Sequence, residues 1–370
     1  MALGVNQDQT RAVMTIQAAS PLPRLAALST AVPPCKLAQA DIRTWARTQF
    51  QGRVRDIDRM LPAFDNAGID TRYSCMPLDW FSKPRGWAEK NARYLEHAVD
   101  LLTEAAENCL AQAGITAEEV DALVTVSTTG IATPSLDARL FDRLPFRAET
   151  TRLPIFGLGC AGGVNGLARA AEIAQARPGA RVLFLVVELC GLTFRGADLS
   201  KSNVIATALF GDGAAAALIT TDGPGPRIAR SGEHTWPKSL GVMGWTVEED
   251  GLGVVFSRDI PNLVETELPA VLQHYLAQDN LGLSHIDAFV AHPGGEKVIT
   301  ALETVFGKPA GGLHHCRSVL RDFGNMSAAT VLFVLRRTMD AGFGHTPGKR
   351  ALMSALGPGF TAGFLTLETV

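Results

Sequence analysis

The sequence has no stretch near the roughly 18 unbroken apolar residues that a membrane span needs, so no integral membrane segment is expected. It has no run of lysine or arginine, and its formal net charge is −3. That balance lacks the basic field through which proteins hold nucleic acid, which excludes nucleic acid as the expected partner. The six cysteines in 370 residues form neither a C-x-x-C pair nor a dense framework. Reduced thiols are expected rather than disulfides, and no metal site is expected. Residues 1–20 place Gln7, Asp8, Gln9 and Arg11 where a secretory leader would carry an apolar run, so the expected compartment is the cytoplasm.

What is present is the composition of a globular protein, 46% hydrophobic and 19% charged. At about 150 residues per compact unit, this length predicts roughly two units. HAVDLLTEAAENCLAQAG, from His97 to Gly114, carries apolar residues at helical spacing and closes on a glycine stop. Beyond it the pattern repeats. DALVTVSTTG from Asp121 is answered by DAFVAHPGG from Asp287, each an apolar run ending in a small polar turn. GLGCAGGVNGLARAAEIAQA is answered by FGNMSAATVLFVLRRTMDAG, RVLFLVVELC by RALMSALGPGF, and GAAAALITTD by TAGFLTLETV. Near-continuous apolar strands alternating with helices predict sheets covered on both faces, hence a layered α/β protein built by internal duplication. The turn-rich DGPGPRIARSGEH, residues 222–234, marks the expected boundary, with halves at 1–228 and 229–370.

Cys160 sits where an apolar lead-in meets glycines and a helix start. A thiol on such a corner faces backbone amides and a helix dipole that favour a thiolate; the plainer alternative is a small buried hydrophobe. His292 ends the second DA-V strand, where ends of strands face a cleft, and is either a base beside the thiol or a structural histidine. Asn325 occupies the turn of the second half that answers the Cys160 turn, and is either an oxyanion donor or a helix cap.

These residues, with Leu209-Phe210-Gly211-Asp212-Gly213-Ala214, His292-Pro293-Gly294-Gly295, Gly324-Asn325-Met326-Ser327 and Gly357-Pro358-Gly359-Phe360, occur in the order of a known family. The chain resembles the type III polyketide synthases of the chalcone and stilbene synthase superfamily, the bacterial alkylresorcinol and alkylpyrone synthases in particular. That resemblance implies a thiolase-like αβαβα fold, a homodimer, and catalysis by Cys160, His292 and Asn325. Acyl-CoA and malonyl-CoA are the implied substrates, and no cofactor is implied.

Carried over by position, Phe210 shields the decarboxylation site, while Gly357, Pro358 and Gly359 shape the cyclisation chamber; a core aromatic and a tight turn are the plainer alternatives. Thr129, Thr133, Cys190 and Ser327 match cavity positions or pack. The second gatekeeper phenylalanine falls at Val254, unless the alignment slips to Phe256. Gly294 and Gly295 match the CoA channel, and Arg53, Arg55 and Arg59 are the candidates for its phosphates. The implied reaction is repeated decarboxylative condensation of malonyl units onto an acyl starter, then ring closure to a resorcinol, phloroglucinol or pyrone. Val254 in place of a phenylalanine leaves room for a medium or long fatty acyl starter; an aromatic or malonyl starter stays open. The alternatives are a ketoacyl synthase served by an acyl carrier protein, and a non-catalytic acyl-binding homologue.

Overall fold

The computed structural model describes residues 21–54 and 56–370; the N-terminal segment discussed above and Arg55 lie outside the described residues. The first half opens with β1 (Arg24–Ala31), β2 (Cys35–Ala38), α1 (Gln39–Phe50), α2 (Pro62–Asp65) and β3 (Thr71–Ser74). Helix α3 (Trp87–Ala113) starts earlier than its periodicity predicts and stops at Gly114, whose φ of 70° is a left-handed cap that glycine adopts without penalty. There follow β4 (Ala122–Val126), α4 (Leu136–Leu140), β5 (Thr151–Ile155), α5 (Gly162–Ala176), β6 (Val182–Leu189), α6 (Lys201–Leu209) and β7 (Asp212–Thr220).

The second half runs β8 (Arg227–Thr235), the hairpin β9 (Met243–Glu248) and β10 (Gly251–Phe256), and α7 (Ile260–Ala277). It continues with β11 (Ala288–Ala291), α8 (Glu296–Val305), α9 (His314–Phe323), α10 (Thr330–Asp340), β12 (Arg350–Gly357) and β13 (Thr361–Glu368). Residues 222–234 are a turn only in their first part: from Arg227 the chain is strand β8, zipped antiparallel onto β13.

Nine strands form one sheet in the order β11-β12-β13-β8-β1-β7-β6-β4-β5. Its two wings match. In one, β4 runs parallel to β6, which is antiparallel to β7, which is antiparallel to β1; in the other the same relations hold for β11, β12, β13 and β8. The repeat extends to single hydrogen bonds. Asp121 accepts from the Arg181 amide at 2.8 Å and Asp287 from the Arg350 amide at 2.9 Å.

Alternating side chains sort the layers. Leu123, Leu183, Leu185 and Val187 face α3, while Val124, Val126, Phe184 and Val186 face a shared core with α5, α10 and the strands of the second wing. Outside that second wing lies α7, whose Tyr275 hydroxyl reaches Arg230 O and Thr366 Oγ1 at 3.1 and 2.9 Å. The result is the αβαβα layering expected of the duplicated pattern, with α5 and α10 as the central layer.

Candidate active site

The central layer sets the site. Helices α5 and α10 each begin with a single 3-10 turn, Gly159–Ala161 and Ser327–Ala329. The two turns open on left-handed residues, Gly159 at φ 47° and Ser327 at φ 46°. They touch. A Cβ on Gly163 would lie 2.2 Å from Ala328 O, so only glycine lets the two helix starts meet. Behind the Cys160 turn, Gly159 abuts the Pro358 ring and Gly357 abuts Leu158 O, at distances no real Cβ would tolerate.

Cys160, His292 and Asn325 line one cavity of about 500 Å³. The Cys160 thiol, only 8% exposed, donates to Ser327 Oγ at 3.6 Å. His292 is held by its main chain, which donates to Ser354 O at 2.8 Å. Both its ring nitrogens are buried and unpartnered, so they are free for a ligand. The Asn325 amide is oriented by its neighbours: Oδ1 accepts from the Ser327 amide at 2.8 Å, and Nδ2 donates to Gly294 O at 3.0 Å. Its second N–H remains available.

Burial works against the thiolate that the helix start favours. Burial pushes the Cys160 thiol up to about 12 and His292 down to about 4. A helix start contributes at most ~2 kcal/mol, about 1.5 pKa units, whereas full burial shifts a group by up to 3–5 units. Desolvation therefore opposes charge on either group taken alone, the thiolate as much as the imidazolium. Close by, burial raises Glu188 to about 7 against hydrogen bonds from Thr128, Thr129 and Ser327. Thr128 N and Thr129 Oγ1 donate to it at 2.9 Å each.

The remaining predicted positions divide. Gly294 lines the cavity, and Gly295 starts α8 beside it. Phe210 touches the site through its backbone, which pairs with Asn325. Its ring, with Cys190, lines a second, smaller cavity. Six predicted positions lie elsewhere than expected. Thr129 spends its hydroxyl on Glu188 and does not line the cavity. Thr133 is exposed and lines neither cavity. Val254 packs in the cluster around Phe210, and Phe256, on the same face of β10, lines the main cavity instead. Its ring meets Phe210 edge-on at 5.8 Å. Gly357, Pro358 and Gly359 back the Cys160 turn rather than line the cavity.

The arginine candidates also move. Arg53 donates to Gly196 O at 2.9 Å and Arg59 is turned to solvent, so neither reaches the cavity; Arg55 lies outside the described residues. The basic groups at the cavity are Lys201, Arg258 and Lys297, none of which forms an ion pair among the described residues. Lys297 was within reach of sequence reasoning, since it follows His292-Pro293-Gly294-Gly295 by two residues on a new helix. Lys201 and Arg258 had no such signal, nor did Ser354, whose buried and unpartnered hydroxyl lines the cavity.

No helix among the described residues is long and apolar enough to cross a membrane. Family models of the chalcone and stilbene synthases match residues 11–224, as the N-terminal domain, and 227–370, as the C-terminal domain. A provisionally named chalcone synthase of Bacillus subtilis (strain 168) is 41% identical over 352 residues, covering 91% of this chain and 96% of that protein. The 1,3,6,8-tetrahydroxynaphthalene synthase of Streptomyces peucetius subsp. caesius is 36% identical, over 93% of this chain and 92% of its own length. The crystal structure of the Streptomyces coelicolor A3(2) tetrahydroxynaphthalene synthase, a bacterial type III polyketide synthase, superposes with a TM-score of 0.89 at 28% identity, over 94% of this chain and 99% of that one. With two family models spanning nearly its whole length and this fold around Cys160, the chain belongs to the chalcone and stilbene synthase family of acyl-transferring, type III polyketide-forming enzymes.

Proposed function

We propose that this enzyme condenses malonyl-CoA, with loss of carbon dioxide, onto a fatty acyl starter carried by Cys160, and then releases a cyclised product. The observation that carries the reading is that the thiol, two free imidazole nitrogens and one free amide N–H open into a single cavity with three cations that form no ion pair among the described residues. Lys201, Arg258 and Lys297 supply charge for the phosphates of CoA, leaving its thioester to enter toward Cys160.

The first step moves the Cys160 proton to His292 as the thiol attacks the starter thioester, with CoA leaving. Malonyl-CoA then places its thioester oxygen against His292 and the free Asn325 N–H. These donors stabilise the enolate formed as carbon dioxide departs, a role a carboxylate at position 325 would oppose. The enolate attacks the acyl-Cys160 carbonyl, the C–S bond breaks, and the lengthened chain returns to Cys160 for another round. No cofactor takes part in this scheme, and the enzyme works as a homodimer.

A second reading has malonyl-CoA as starter as well as extender, and the tetrahydroxynaphthalene synthases among the relatives favour it. Phe256 at the cavity weakens the argument from a roomy position 254. Mass spectrometry of products from malonyl-CoA with and without a graded acyl-CoA panel separates the two, with Cys160→Ala as control. Rings carrying the acyl chain support the first reading, and rings from malonyl-CoA alone with no acyl incorporation replace it by the second. No Cys160-dependent product from any combination overturns both.

A further inference from the structure

Strand β3 belongs to the first half, yet it braces the turn that carries Asn325 in the second. Just before the strand, the Asp70 amide donates to Arg321 O at 2.8 Å, and Thr71 Oγ1 donates to Asp322 O at 2.9 Å. Tyr73 stacks on Phe323 with ring centroids 5.7 Å apart. Between Thr71 and Tyr73 lies Arg72, 3% exposed. Its Nη1 donates to Phe210 O at 2.6 Å and its Nη2 to Gln39 Oε1 at 2.9 Å. Gln39 in turn donates through Nε2 to Ala208 O at 2.9 Å and to Phe64 O at 3.2 Å. A rigid fork that spans two acceptors is what a guanidinium supplies and an ammonium does not.

The segment held in this way is the one to which Asn325 is tied. The Asn325 amide donates to Leu209 O at 2.8 Å, and the Gly211 amide donates to Asn325 O at 3.0 Å, so its main chain is hooked on both sides of Phe210. Glycines let the three segments close on one another. A Cβ on Gly211 would lie 2.4 Å from Phe323 O, one on Gly324 would lie 2.9 Å from Leu209 O, and the Arg72 Cβ is 3.3 and 3.4 Å from the same two points.

A guanidinium is a costly brace here. Burial lowers Arg72 to about 9 against the nearby charge of Asp212, and its two hydrogen-bond acceptors are a carbonyl and an amide rather than a carboxylate. If packing were the only need, an apolar side chain of similar volume would serve, since replacing buried charge in this way is often neutral or stabilising. We propose that Arg72 is a positioning residue for the decarboxylative condensation: it fixes the Phe210 main chain and, through it, the Asn325 amide that faces the enolate. The assignment rests on the malonyl-CoA reading above. Loading of Cys160 does not use the Asn325 amide in that scheme, so Arg72 bears on condensation and not on loading.

The test uses Arg72→Met, which keeps the volume and removes both donors. Two steps are followed in the whole protein: transfer of radiolabel to Cys160 from octanoyl- or malonyl-CoA, whichever primes wild type, and condensation with malonyl-CoA. The kcat for condensation should fall by about 10²-fold, the cost of displacing a catalytic group by roughly 1 Å, with loading and the KM for malonyl-CoA near wild type. In an Asn325→Ala background the same substitution should cost nothing further, because residues that act as a unit are not additive. Arg72→Lys keeps the charge but reaches one acceptor, and should fall between wild type and Arg72→Met on the same step. If Arg72→Met fails to fold by thermal melting, Arg72→Lys with and without Asn325→Ala decides. Equal losses in loading and condensation, a further loss on top of Asn325→Ala, or unchanged condensation each overturn the assignment. Absence of both Cys160 labelling and product in wild type would instead bring down the functional reading on which it rests.

Discussion

The two turns that open α5 and α10 have nearly the same backbone and different chemistry. Gly159 and Ser327 share a left-handed φ, and each is followed by a 3-10 turn and a helix. Yet the residue after the first is Cys160 and after the second is Ala328, and Asn325 is supplied only by the second. The strands divide in the same way, since His292 follows β11 where the first half places Ser127 after β4. A duplicated scaffold brings two equivalent corners together, and divergence at a few positions turns one into a nucleophile and the other into its donor set.

The most severe way to break that asymmetry is Cys160→Ala. By analogy with loss of a nucleophile in a catalytic triad, turnover should fall on the order of 10⁵- to 10⁶-fold, as measured by product mass spectrometry. Adding Ala328→Cys to that variant should restore nothing, because Ala328 is fully buried against Gly163. Restored activity would show the two corners to be interchangeable.

Asn325→Ala should cost about 10²- to 10³-fold in condensation while leaving radiolabelled acyl transfer to Cys160 close to wild type. Equal losses in both steps would place Asn325 in the structural framework rather than in enolate stabilisation.

Gly163→Ala tests the contact itself. Its Cβ would meet Ala328 O at 2.2 Å, so the protein should lose roughly 1–3 kcal/mol of stability or more, read as a lower midpoint in thermal or urea unfolding. Wild-type stability would mean that the two helix starts separate freely.

The effects on stability through pH are of similar size to that of Gly163→Ala, and the two halves pull in opposite directions. His292 is lowered from 6.5 to about 4, so between those values the unfolded chain binds a proton that the folded protein refuses. Stability is therefore lost as pH falls through that window, by up to about 3 kcal/mol, and His292→Gln should flatten the loss. Glu188 is raised from 4.5 to about 7, so its contribution is full below 4.5 and lost as pH rises through 7. Glu188→Gln should stabilise the protein at pH 8 relative to wild type. Urea midpoints of the three proteins at pH 4.5, 6 and 8 check both signs.

Much of this organisation is legible before folding. The repeat of DALVTVSTTG in DAFVAHPGG and of the Cys160 turn in the Asn325 turn places three chemical groups at equivalent ends of equivalent elements. Such patterns are local, because strand alternation, glycine turns and helix starts are written in a few consecutive residues. Val254 and Phe256 show the limit. They lie two residues apart on the same face of β10, and which one reaches the cavity depends on what packs beside them. Arg53 and Arg59 fail for a related reason, since a cation's usefulness to CoA depends on where the cavity opens. That opening is made by α6, the β10–α7 loop and α8, elements distant in sequence that supply Lys201, Arg258 and Lys297.

By itself, then, the sequence determined the duplicated α/β framework and the identity of the thiol, imidazole and amide, because those depend on residue type and short-range order. Only the tertiary structure decided their desolvation, the cations beside them and the second cavity behind Phe210. Desolvation, charge proximity and empty space are properties of what surrounds a residue, and here the surroundings come from opposite halves of the chain.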